Sequence, residues 1–184
     1  MRRTLFEDVH EDFRASFRTF LQREVIGEEG RYGEWERAGI VPREVFAKAG
    51  AGGFTGMAVP EAHGGAGADD FRLNLVIGEE CQRAAVGSFG LGITLHNDIC
   101  LPYFLTYCNE EQQESWLGGI ASGELITAIA MTEPGIGSDL AAMSTTAIRD
   151  GEHYVVDVLA AVPLVAASVA LYRWRGKRLL TADE

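Results

Sequence analysis

The chain has 184 residues, and 16 Lys and Arg against 27 Asp and Glu give it a formal net charge of −11. That length sets one domain, or one and part of another, and a hydrophobic fraction of 47% with 9% aromatics supplies enough apolar surface to exclude a disordered chain. The acidic balance excludes a nucleic-acid partner, which needs clustered cations for its phosphates, and Cys81, Cys100 and Cys108 are too few and too scattered for a disulfide framework or a Cys-rich zinc site.

The run from Met1 to Asp8 turns acidic before any apolar stretch, so neither a secretory signal nor a transit peptide is expected, and a cytoplasmic, reducing setting fits the cysteines. Leu5, Phe6, Val9, Phe13, Phe17, Phe20, Leu21 and Val25 then recur at three- and four-residue steps. That spacing predicts an amphipathic helix with a buried aromatic-rich face, ended by Gly27 and Gly30. A shorter helix is predicted from Val41, with Pro42 in its first turn, to Gly50. Residues 50–56 and 64–67 are glycine-rich and predict loops. Phe71, Leu73, Leu75, Val76, Ile77 and Cys81 predict a helix between Asp69 and Val86. Leu95 to Tyr107 is apolar nearly all round and predicts a central buried helix. Asn109 with Gln112 forms a capping pair that opens a helix through Trp116 and Leu117, closing near Ser122-Gly123.

After Gly123 the pattern changes. Leu125 to Met131 is a short apolar run bounded by glycines and a proline, which predicts a buried strand. Residues 145–149 and His153 to Val156 are β-prone and flank Asp150-Gly151-Glu152, a hairpin signal. The fold class expected is therefore mostly α: a helical bundle of about five helices, then the first strands of a β-domain.

Chemistry concentrates between the predicted strand and the hairpin. Met131-Thr132-Glu133-Pro134-Gly135-Ile136-Gly137-Ser138-Asp139 is a tight glycine turn whose backbone N–H groups can converge on an anion or a ring carbonyl. Thr132 and Ser138 add hydroxyls that both donate and accept. On spacing alone an ordinary strand-to-strand loop is the better reading of these residues. No Gly-Lys-Ser/Thr follows, so it is not a Walker loop, and it carries no Rossmann fingerprint. His10, His63, His96 and His153 are too dispersed for a local metal site, so no metal is expected. His96-Asn97-Asp98 reads as a helix start or a core polar network, since no nucleophile accompanies it. Glu79-Glu80 reads as a solvated or helix-pairing face, and Trp35 and Trp116 as packing residues.

The run from Ala130 to Leu140 closely resembles the flavin-loop motif of acyl-CoA dehydrogenases. Upstream, Trp35 to Gly39, Val59 to Gly67, Glu79-Glu80 and Ser122 to Ile126 resemble the same family in the same order, and Leu95 to Tyr103 is most similar to its long-chain members. The likeness covers about residues 1–156. It implies FAD as cofactor, a fatty acyl-CoA as substrate, α,β-dehydrogenation with hydride transfer to the flavin, an electron-transfer flavoprotein as acceptor, and a homo-oligomer in the family. Carried over by position, Ile129, Ala130, Met131, Thr132, Gly137 and Ser138 would contact the flavin, with Ser138 also reaching the substrate.

The departures define the rest of the expectation. Domains are expected as 1–124, an N-terminal helical domain; 125–156, the start of a middle β-domain with the flavin loop; and 157–184, a divergent tail. The family's next flavin-contacting segment and its C-terminal helical domain, with catalytic base and subunit interface, have no counterpart in these residues. No catalytic residue is therefore assigned, Glu133 included, and the chain is expected to be truncated and inactive alone. Val158 to Tyr172 is uncharged, and Arg173, Arg175, Lys177 and Arg178 follow it. That run is short of the roughly 20 apolar residues of a membrane span, and Pro163 interrupts it, so a membrane partner is not expected. The alternative is a non-catalytic truncated or membrane-tethered helical module whose loop binds no flavin.

Overall fold

The computed structural model describes residues 4–27, 30–132, 134–135, 137–139, 141, 147–150 and 153–156. The chain divides into two compact units, Met1–Ile129 and Ala130–Glu184. The expected tail, 157–184, lies outside the described residues.

The first unit is helical. α1 (Asp8–Phe20) has acidic Asp8 and Glu11 in its first turn, where the helix dipole favours them, and the Glu7 N–H donates to His10 Nδ1 at 3.1 Å. The helix runs straight on into a π turn, Leu21–Ile26, and stops at Gly27, whose φ of 57° is one that glycine adopts without strain. α2 (Arg31–Ala38) ends on Gly39 in the left-handed conformation. α3 (Arg43–Ala51) starts with Pro42 as its N-cap, one step outside the predicted position. A long loop with one 3₁₀ turn, Glu61–His63, leads to α4 (Phe71–Arg83), where Asp70 accepts the Arg72 N–H at 3.0 Å as N-cap. α5 (Gly87–Thr94), a π turn (Leu95–Cys100) and α6 (Leu101–Tyr107) form one continuous helix. The predicted capping box of Asn109 and Gln112 opens α7 (Glu110–Ser122).

Phe54 sits at the centre of the larger core. The rings of Phe13, Phe17 and Phe20 on α1 surround it at centroid distances of 5.5, 5.0 and 5.2 Å, and α3, α4 and α5 add Phe46, Ile77, Phe89 and Ile93. A smaller cluster of Val59, Leu101, Leu117, Ile120 and Ala121 joins α6 to α7. Each fully buried side chain of this size contributes about 2–3 kcal/mol. α3 and α7 cross closely enough that a Cβ on Gly50 would lie 1.9 Å from the Ser122 carbonyl, and one on Gly123 would lie 2.2 Å from the Phe46 carbonyl.

Charge is buried with equal care where α1 meets α4. Glu80, 2% exposed, accepts from Arg14 Nη1 at 3.0 Å, Arg18 Nε at 2.8 Å and Arg18 Nη2 at 3.0 Å. Arg14 also reaches Glu79 at 2.9 Å, so of the two expected readings of Glu79-Glu80 the helix-pairing one holds. Such a cluster persists because each buried charge has hydrogen-bonded partners of opposite sign.

Several expectations need correction. The sequence pattern predicts no helix where α2 lies: Arg31–Ala38 is short and highly charged and contains Gly33, so no apolar stripe announces it. Leu5 and Val9 are exposed, because His10 and Arg14 take the buried positions beside Asp70 and Glu80. The helix through Leu95–Tyr107 starts at Gly87 and is not buried all round: Leu91, Ile99, Tyr103 and Tyr107 form an exposed stripe. Leu125 to Met131 forms no strand. Its first residues are tied to α7 and to a histidine instead of a neighbouring strand. In the second unit β1 (Ala147–Asp150) pairs antiparallel with β2 (His153–Val156), Asp150 facing His153, as the hairpin signal predicts.

Candidate functional site

Polar groups buried among apolar ones must find partners or cost free energy. The continuous helix from Gly87 to Tyr107 carries two such groups side by side. Asn97, 5% exposed, donates from Nδ2 to the Phe54 carbonyl at 2.9 Å and accepts the Gly56 N–H at 2.9 Å. His96, 1% exposed, places Nε2 3.0 Å from the Ile120 carbonyl. A carbonyl only accepts, so Nε2 carries the proton and Nδ1 is left to accept. Its donors are the Thr127 N–H at 3.2 Å and the Thr127 hydroxyl at 2.9 Å. Burial holds the imidazole pKa below its ordinary range, consistent with a neutral ring. The expected core polar network at His96-Asn97 is therefore present.

Other ties surround it. The Thr55 hydroxyl donates to the Ala121 carbonyl at 2.8 Å, the Leu125 N–H to the Gly119 carbonyl at 2.9 Å, and Arg43 to the Glu124 carbonyl. The loop at 54–56, the end of α7 and the chain leaving α7 are thus all fastened to one another and to the π turn. These ties set the course of the chain as far as Ile129, which is half-buried and closes the first unit.

The remaining candidate residues belong to the second unit. Ala130, Met131 and Thr132 follow in irregular, exposed backbone, Pro134 and Gly135 form a turn, and Gly137 and Ser138 are exposed. Asp139 Oδ1 accepts the Ala141 N–H at 3.3 Å. Glu133, Ile136 and Leu140 lie outside the described residues. Thr132 and Ser138 therefore offer hydroxyls to solvent, Met131 offers an exposed thioether, and Gly137 offers bare backbone. The sequence has no Lys or Arg between Arg83 and Arg149, so negative charge on a ligand at this loop would meet the loop's own N–H and O–H dipoles, not cations of its own.

Nothing in the local sequence marks Asp98, next along the π turn, as a buried acid. Its Oδ1 and the Oδ1 of Asn74 are buried without a hydrogen-bond partner, and both residues line two cavities of about 830 and about 210 Å³. Burial pushes the Asp98 carboxyl up to about 6. Among the described residues no group of three or more His, Cys, Asp or Glu is arranged to hold a metal, and no helix is long and apolar enough to cross a membrane.

Residues 7–124 match the family model described as acyl-CoA dehydrogenase, N-terminal domain. The chain is 41% identical over 155 residues to the mitochondrial long-chain specific acyl-CoA dehydrogenase of Sus scrofa, covering 84% of this chain and 35% of that protein. It thus spans about a third of the length of that curated relative. Among solved structures it resembles the acyl-CoA dehydrogenase of Geobacillus kaustophilus with a TM-score of 0.74 and 49% identity, covering 84% of this chain and 39% of that one. A glutaryl-CoA dehydrogenase from Mycobacterium smegmatis, solved in complex with FADH2, aligns with a TM-score of 0.67 and 28% identity over 83% of this chain and 38% of that one.

Proposed function

The chain belongs to the acyl-CoA dehydrogenase family, and from that premise we propose that it supplies the helical domain and flavin loop of an FAD-dependent dehydrogenase acting on fatty acyl-CoA thioesters. The observation that carries this reading is the loop after the matched domain: Thr132 and Ser138 expose hydroxyls, Gly137 exposes backbone, and no Lys or Arg stands nearby in the sequence. That donor set fits a flat, largely apolar ring with hydrogen-bonding edges. Bound FAD would accept the hydride that leaves the β-carbon as the α-proton is removed. Thr132 would hydrogen-bond the ring edge, Ser138 would reach both ring and thioester, and Ile129, Ala130 and Met131 would pack beside them. Donors aimed where charge develops stabilise it at no reorganisation cost.

The same reading places a helical domain at 1–124 and the start of a β-domain, with the hairpin, at 125–156. It brings a fatty acyl-CoA as substrate, with long-chain specificity suggested by the pig relative, an electron-transferring flavoprotein as acceptor, and a homo-oligomeric assembly. No acid among these residues is assigned the role of base. A second reading, a helical module that binds no flavin, is favoured by one observation: among the described residues, the two buried clusters of the first unit are built from residues between Phe17 and Ala121.

A visible absorption spectrum after incubation with FAD and desalting separates the two. Retained flavin absorbance, lowered in Thr132→Ala and Ser138→Ala, supports the flavoprotein. A colourless protein with intact helical circular dichroism overturns it in favour of the module.

A further inference from the structure

We propose that His96 is a positioning residue for the flavin loop: it pins the backbone at Thr127, five residues before Thr132, and so sets where the flavin-contacting segment begins. The proposal rests on the flavoprotein reading given above. His96 acts through Thr127: Ile120 on one side and Thr127 on the other occupy both of its ring nitrogens.

The ring is held rigidly enough for that role. Its Nε2–H is committed to the Ile120 carbonyl of α7, and its Nδ1 to the N–H and hydroxyl of Thr127. The adjacent Asn97 is locked in turn by Phe54 and Gly56, so the backbone that carries the imidazole cannot drift without breaking two more buried hydrogen bonds. Upstream, the Leu125 N–H is fixed to Gly119. Two ties two residues apart define a direction as well as a point, and the second of them is His96. Buried as it is, the imidazole competes with no bulk water for Thr127. A loop that must present Thr132 and Ser138 to one ring gains from a fixed starting point, because geometry set before binding removes an ordering cost at binding.

Three substitutions in the full 184-residue chain test it. In His96→Asn the amide oxygen stands near the place of Nδ1 and still accepts from Thr127. His96→Gln reaches towards Ile120 but abandons Thr127, and His96→Leu abandons both. Hydrogen exchange at the Thr127 amide, which needs no flavin, is expected to speed up about tenfold in His96→Gln and His96→Leu, the change one lost hydrogen bond makes, and to stay near wild type in His96→Asn. The Kd for FAD, measured by flavin fluorescence at a temperature where all four proteins are folded, is expected to weaken about tenfold in the same two variants and be rescued in His96→Asn.

Unchanged exchange at Thr127 in His96→Gln and His96→Leu overturns the anchor. Raised exchange with one common FAD Kd overturns the positioning role, leaving His96 a structural residue only. If wild type takes up no FAD, the flavoprotein reading fails instead, and the exchange order across the three variants still decides the anchor at Thr127.

Discussion

Replacing Asp98 with asparagine should stabilise the protein, and only above the pH at which the carboxyl of the unfolded chain begins to ionise. Asp98 Oδ1 is buried and unpartnered, and burial raises its pKa from 3.8 to about 6. Below about pH 4 the group is protonated in both the folded and the unfolded chain and costs nothing. As pH rises from about 4 to about 6 the unfolded chain releases its proton while the folded one keeps it, so folding is penalised progressively. Above that window the penalty is constant. A shift of about 2 units is worth roughly 3 kcal/mol, and partial solvation of a half-buried group brings the expected figure to about 1–3 kcal/mol. The substituted amide carries no charge at any of these pH values and brings an N–H donor to a region where Asn74 Oδ1 is also unpartnered. Urea denaturation followed by far-ultraviolet circular dichroism should give Asp98→Asn an advantage of about 1–3 kcal/mol near pH 7.5 that shrinks towards zero at about pH 4. The neighbouring His96 titrates in both proteins and largely cancels. An advantage of the same size at both pH values, or none at either, would refute the reasoning.

Glu80→Gln should cost about 3 kcal/mol in the same assay at about pH 7, since it leaves the buried Arg14 and the partly exposed Arg18 without their shared carboxylate; an unchanged denaturation midpoint would contradict the cluster. Gly123→Ala should cost at least about 2 kcal/mol, because an L side chain resists the left-handed conformation and its Cβ would meet the Phe46 carbonyl at 2.2 Å; calorimetry against Gly53→Ala, also left-handed but with open space around it, isolates the clash. The His96 contribution to stability should decline as pH falls below about 6.5, the imidazole value in an unfolded chain, against the opposite slope from Asp98, because burial lowers the His96 pKa in the folded state and the unfolded state then binds more protons. His96→Asn should flatten that slope in a series of denaturation curves from about pH 7.5 to about pH 5.

What the sequence discloses and what it hides follow from range. Asn109 and Gln112 are three residues apart and satisfy each other, so the start of α7 is written locally and can be read. The hairpin is written the same way, in the Asp-Gly between two β-prone runs. The Thr132–Ser138 loop is legible only through a motif. Its composition allows an ordinary turn, and its reading as a flavin loop leans on the ordered segments that precede it. Leu125 to Met131 has the composition of a strand and is not one, because its first ties are to the Gly119 carbonyl and to His96, 31 residues upstream of Thr127 in the second case. Periodicity gives α1 an apolar stripe but not its width, so Val9 qualifies by spacing while Arg14, paired with a glutamate 66 residues away, takes a buried position. Asp98 looks like one polar residue among three, and only packing shows that it alone of them lacks a partner.

The π turn at Leu95–Cys100 makes the helix through it one residue longer than the α-helix it interrupts. Deleting a single residue there, such as Ile99, would leave an unbroken helix with its own backbone fully bonded. Because the wider turn absorbs its extra residue within the same angular advance, everything from Leu101 onward would keep its phase and still face Leu117 and Ile120, while Asn97 and Asp98 inside the turn would swing round the axis, away from Phe54 and Gly56 in the case of Asn97. Deletion at this site therefore strikes the buried polar network of the turn and spares the packing of α6 on α7. Natural variants should show many different residues at the exposed position 99, and a gap from 95 to 100 only where the partners of His96 and Asn97 change with it.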